Sequence, residues 1–106
     1  FSGGPKSVLI DGAPLVDPAV YELGIPILGI CYGAQMIAEQ LGGAVSRFDA
    51  GEYGRTALEL SDGGGRLLAG QPASQQVWMS HFDCITAVPE GFAATSSTAN
   101  APVAPF

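Results

Sequence analysis

Cys31 is the first residue of this 106-residue chain that could do covalent chemistry, because of what surrounds it. It sits in Gly29-Ile30-Cys31-Tyr32-Gly33, where an apolar run from Ile25 to Ile30 passes directly into a helical pattern. Small residues two before and two after a nucleophile let the backbone turn sharply from strand to helix, which is the geometry of a nucleophile elbow. The thiol would then stand at a helix N-terminus, where the macrodipole and free N–H groups favour a thiolate and an oxyanion. The competing reading is a small buried hydrophobe, the usual fate of a free cysteine. Four residues on, Gln35 lies one helical turn along the same face, either reaching what the thiol attacks or simply solvated. Gly3 and Gly4, before Pro5, read as a tight turn whose amides are free for a ligand or as an ordinary loop.

Thiol attack on a carbonyl also needs a base, an orienter for it and oxyanion donors. The chain has one histidine, His81, with Asp83 two residues later. On a strand that spacing points both side chains the same way, so they compete for space rather than stack in line. A Cys31/His81/Asp83 triad is therefore not expected. Metal binding is not expected either, since one histidine, two distant cysteines and scattered carboxylates have no recognised ligand spacing.

The elements that would position these residues follow from local pattern. Asp17-Pro18 is an N-cap with proline at the first helical position, opening a short helix through Leu23, with Gly24 as its stop. Pro26 to Ile30 reads as a central strand buried on both faces. The helix from Tyr32 to Leu41 carries Ala34, Ile37, Ala38 and Leu41 on one apolar stripe. After Gly42-Gly43 come a short strand, Ala44 to Phe48, and a half-buried strand, Gly51 to Leu60, with Thr56, Leu58 and Leu60 facing in. Ser61 to Gly65 is a turn without the ending of a phosphate-binding loop, Arg66 to Gly70 one helical turn and Gln71 to Gln76 a polar connector. Val77 to Ser80 reads as a strand delivering His81, Phe82 and Asp83 to a loop. Ile85 to Val88, Phe92 to Ser97 and Val103 to Phe106 are short strands. No repeat or linker divides the chain, so residues 1–106 are one domain.

Composition narrows the function. Net charge is −6, and Lys6, Arg47, Arg55 and Arg66 are the only cations, so no basic patch offers itself to nucleic acid. No apolar stretch approaches the roughly 18 residues that cross a bilayer. Cys31 and Cys84 do not form a disulfide scaffold, which points to reduced thiols and a cytoplasmic setting. A chain opening at Phe1 rather than Met is expected to be a fragment.

Three motifs in order, Ser2-Gly3-Gly4-Pro5, Gly24 to Gly33 with Gln35, and Leu41-Gly42-Gly43, resemble the class I, triad-type glutamine amidotransferases. Glu52-Tyr53-Gly54-Arg55, Val77 to His81 with Asp83, and Pro89-Glu90-Gly91-Phe92 are similar to the branch that forms the amidotransferase domain of glutamine-hydrolysing GMP synthases. The resemblance covers essentially the whole chain. It implies a three-layer α/β fold of flavodoxin-like type, a mostly parallel sheet with an antiparallel extension, present here without its first strand and helix. It further implies Cys31 as nucleophile, backbone N–H groups of Gly4 and Tyr32 as oxyanion hole, and Gln35, Ser80, His81 and Asp83 as glutamine-binding residues. The parent enzyme would hydrolyse glutamine and pass ammonia to an ATP-pyrophosphatase (synthetase) domain aminating XMP, with ATP and Mg there and no cofactor in this domain, as a homodimer. Anthranilate, aminodeoxychorismate and carbamoyl phosphate synthesis are the alternative pathways, and a non-catalytic binding domain is the alternative of another class. The chain departs from the family pattern at Phe82, where glycine is usual. The catalytic His and Glu of the family belong to a later His-Pro-Glu segment, which His81 does not match, so these 106 residues alone are expected to be inactive.

Overall fold

The computed structural model describes residues 1–48 and 51–106. Asp17 caps a 3-10 helix, Pro18–Glu22, its carboxylate accepting from Ala19 N at 2.9 Å, and the chain leaves through Gly24 at φ 67°. Residues 25–30 then run to Cys31. Phe1 N donates to Leu28 O at 2.7 Å, and Ile30 N donates to Phe1 O at 3.0 Å. One residue bonded to the two neighbours of its opposite number is the unit of parallel pairing. The stretch is nevertheless not buried on both faces as its composition suggested. Leu28 and Ile30 are more than half exposed, because among the described residues only Phe1 pairs with the segment and its flank opens on an apolar groove.

Helix α1, Tyr32–Gln40, follows at once. It ends in a Schellman arrangement: Gly42 takes φ 87°, Gly43 N bonds Ala38 O at 2.8 Å and Gly42 N bonds Glu39 O at 3.3 Å. Its buried face is broader than the expected stripe. Ile37 and Ala38 are buried, Ala34 and Leu41 only partly, and Tyr32, Met36 and Gln35 complete the face.

Strand β1, Ala44–Leu60, joins the two expected strands into one of 17 residues. It pairs antiparallel with β2, Ser74–Ala87, and at its far end with β3, Ser96–Ser97, in the order β2-β1-β3. The inward set Thr56, Leu58 and Leu60 is as the alternation requires. Register slips between Arg47 and Glu52, which face Asp83 and His81 respectively, so the surplus residues all lie on β1. This corrects the expected loop at His81 to Asp83. The irregularity is taken up beside Gly51, at φ 58°, and β2 stays continuous through Ser80, His81 and Asp83. Phe82 needs no left-handed backbone there, since Cys31 and Asp62 are the only non-glycine residues at positive φ among those described. The last two expected strands shrink to β3 and a hairpin closed by Thr95 N to Pro105 O and Ala104 N to Ser96 O, both 3.0 Å, with Val103 bridging Ile85.

The core lies between α1 and the β1–β2 ladder, where Tyr32, Met36 and Ala38 meet Val45, Ile85 and Val103, with Val8 closing one side. Ala38 is fully buried, so α1 approaches the sheet closely at its middle.

Candidate active site

Cys31 takes φ 55° and ψ −116°, a region that L-residues occupy only under constraint. The constraint is visible in its neighbours. A Cβ on Gly29 would lie 2.7 Å from Ile37 Cδ1 and 2.8 Å from Ala34 N, and one on Gly33 would lie 2.8 Å from Phe1 O. Only glycine fits at either place, which is the elbow's requirement met on both sides. The thiol is exposed, so the buried-hydrophobe reading of Cys31 fails. Gly3 passes against it: a Cβ there would sit 3.1 Å from Cys31 Cβ and 3.6 Å from Sγ. Gly3 therefore serves close approach, and neither it nor Gly4, whose Cβ would meet nothing within 4 Å, adopts a positive φ.

Among the described residues, the N–H groups of Gly4 and Tyr32 have no hydrogen-bond acceptor. The Tyr32 side chain turns away and donates its hydroxyl to Pro14 O at 2.6 Å. What Tyr32 presents at the elbow is thus backbone.

A cavity of about 370 Å³ opens beside the thiol. Cys31, Gly4, Gln35, Ser80, His81 and Asp83 all line it, although they come from three separate segments, the N-terminal loop, the elbow with α1, and β2. Tyr32 adjoins it through the chain. Gln35 is buried rather than solvated, and its Nε2 donates to Asp83 O at 2.8 Å. That same carbonyl faces His81 Nδ1 at 3.0 Å. On the other side of the ring, His81 Nε2 lies 3.0 Å from Glu52 Oε2. Glu52 is buried, and its second oxygen accepts the Thr98 hydroxyl at 2.6 Å, while Thr98 Oγ1 accepts Ala101 N at 2.9 Å.

Sequence spacing alone did not find Glu52, Thr98 or Arg47. The signal for Glu52 was its place in a motif, but its partner depends on a register that only the bulge sets. The Asp83 carboxylate is buried at the cavity and has no hydrogen-bond partner among the described residues. Cys84, its neighbour, is buried and unpaired; burial pushes its thiol up, and the charges of Glu52 and Asp83 add to that. The two thiols differ in setting: that of Cys31 is exposed at the cavity and that of Cys84 is buried.

The sequence profile of the family described as glutamine amidotransferase class-I matches residues 1–104. The chain belongs to the class I glutamine amidotransferases. Within the family it is 56% identical over all 106 residues to a GMP synthase (glutamine-hydrolysing) from Parafrankia sp. (strain EAN1pec), of which it spans 20%. It is 58% identical over 104 residues to the GMP synthase of Symbiobacterium thermophilum, again 20% of that protein. A crystal structure described as that of a GMP synthase subunit from Thermoplasma acidophilum superposes with a TM-score of 0.73 at 33% identity, covering 79% of this chain and 42% of the other. The α/β fold of the class I amidotransferases is therefore the fold of this chain. The antiparallel extension is its larger part here, and the Phe1 pairing to Leu28 and Ile30 is its parallel part.

Proposed function

We propose that this chain is part of the glutamine-hydrolysing domain of a GMP synthase, with Cys31 as nucleophile. The observation that carries the reading is the exposed Cys31 in a forced positive-φ elbow, facing a cavity that collects Gly4, Gln35, Ser80, His81 and Asp83. Cys31 Sγ attacks the side-chain amide carbon of glutamine, and the oxygen that becomes negative is held by the N–H groups of Gly4 and Tyr32. The C–N bond breaks as the nitrogen takes a proton, ammonia leaves, and water then cleaves the thioester to glutamate and free thiol. Gln35 and Ser80 offer polar contacts to the substrate, and the Asp83 carboxylate suits its α-ammonium. His81 is not the base: its nitrogens face Asp83 O and Glu52, and its part is to stiffen the wall that Asp83 and Gln35 form. The proton-transfer histidine is assigned to sequence outside these 106 residues.

Ammonia released here would serve an ATP-dependent synthetase domain or subunit that aminates XMP. ATP and Mg belong, in this reading, to that synthetase part; among the described residues of this chain no three His, Cys, Asp or Glu side chains cluster to hold a metal ion. No helix is long and apolar enough to cross a membrane, and a cytoplasmic setting is part of the proposal. The test is labelling with a glutamine-mimicking electrophile in the full-length protein. Cys31 should be modified and L-glutamine should protect it; labelling indifferent to glutamine, or glutaminase activity surviving Cys31→Ala, refutes the reading.

A further inference from the structure

We propose that Arg47, braced by Phe82, recognises the free α-carboxylate of the amino-acid substrate; the inference rests on the amidotransferase reading and assigns the substrate group that reading leaves open. Arg47 and Asp83 are direct partners in the β1–β2 register, and both line the cavity beside Cys31. They are not bonded to each other. Among the described residues the one ion pair is His81–Glu52, so a guanidinium and a carboxylate face one cavity without neutralising one another. An α-amino acid carries an ammonium and a carboxylate on a single carbon. Opposed cross-strand residues of opposite charge are matched to that pair.

The guanidinium also has an aromatic neighbour, although the Arg47 side chain is exposed. Its Cζ lies 5.7 Å from the centroid of the Phe82 ring, and Phe82 meets Tyr53 edge to face with centroids 5.1 Å apart. The aromatic pair closes over Gly51, where a Cβ would be 2.7 Å from Tyr53 Cε2 and 3.1 Å from Phe82 Cδ1. Gly51 thus has two uses: it absorbs the register slip and gives the two rings room. An arginine over a ring face keeps its in-plane N–H donors for a ligand, and the planar fork matches a carboxylate's two oxygens. Of the chain's four cations, two line this cavity, which sets Lys6 as the rival anchor. Lys6 lacks the bracing and the bidentate geometry.

The experiment is steady-state glutaminase kinetics of the full-length protein with L-glutamine and with L-glutamine α-amide, which has no carboxylate. Losing a charge-assisted bond, Arg47→Gln should raise KM for glutamine roughly 10- to 100-fold, with kcat within about twofold and kcat/KM for the α-amide within about threefold. Arg47→Lys and Phe82→Leu should fall between wild type and Arg47→Gln on glutamine alone, and Lys6→Gln should match wild type. Equal losses on both substrates, no loss, or the substrate-selective loss falling on Lys6→Gln overturns the assignment to Arg47 while leaving the amidotransferase reading intact. Wild-type protein that turns over neither substrate, or turnover that survives Cys31→Ala, overturns that reading and this assignment with it.

Discussion

Glu52 and His81 stand opposite each other across the β1–β2 ladder with Oε2 and Nε2 3.0 Å apart, and the other carboxylate oxygen is held by Thr98. A single buried side chain thereby ties both long strands to the terminal hairpin. Glu52→Ala would strand the His81 ring and the Thr98 hydroxyl together, at a cost of about 2–4 kcal/mol in chemical denaturation. Glu52→Gln keeps a partner for each and should cost clearly less. Equal stability of Glu52→Ala and wild type would show that the network is decorative.

The elbow and its facing loop respond differently to an added methyl. Gly29→Ala forces a Cβ to within 2.8 Å of the backbone of α1, and should destabilise by about 3 kcal/mol or more, as overpacking against backbone does. Gly4→Ala meets nothing within 4 Å and should leave the melting temperature within about 2 °C of wild type, the range of a neutral surface change. Thermal melts of the two variants, side by side, check the contrast.

The two thiols should be separable by alkylation. At pH 8 one equivalent of iodoacetamide should be taken up quickly by the folded protein, at Cys31, and the second only in denaturant. The Cys84 thiol is raised by burial, then by Glu52 and Asp83, so the folded state holds that proton more tightly than the unfolded chain. Its contribution is therefore fully present below the ordinary thiol range, near about pH 8.5, and is lost as pH rises through the higher folded value. Replacing Cys84 with Val should flatten the fall in melting temperature above about pH 9, relative to wild type.

The apolar groove beside 25–30 holds about 710 Å³ and is walled by Leu28, Ile37, Leu67, Phe92 and Phe106. A contiguous apolar surface of that kind binds hydrophobic dyes. The isolated 106-residue chain should enhance anilinonaphthalene sulfonate fluorescence, and Leu28→Lys should cut the signal by about half or more if the groove is the binding surface. An unchanged signal in that variant would place the dye elsewhere.

Much of this arrangement was legible in the sequence, and what was missed has a common cause. The Asp17 cap, the Gly42 stop and the alternation of Thr56, Leu58 and Leu60 depend on neighbours a few residues away, and all three appear as expected. The elbow was local on one side, where Gly29 is demanded by contacts with the helix that follows it, whereas Gly33 is demanded by Phe1, which the parallel pairing brings beside it. What escaped was set by register. His81 was read against Asp83, two residues away, whereas its carboxylate partner lies 29 residues back on β1, brought opposite by the slip at Gly51. Gln35 looked solvated because a helical wheel has no knowledge of the carbonyl that β2 places over it. The strand at 26–30 was read by composition as buried, but burial is a property of whatever lies across it.

The positive φ of Cys31 bears on how this position can change. A side chain held in a region that costs roughly 1–3 kcal/mol works against the stability of its own fold. Glycine at the same place would relieve the strain, so the most stabilising substitution is one that removes the sulfur. Chemistry and thermal robustness pull in opposite directions at this residue, and mutational drift toward a sturdier protein would lead away from a working one.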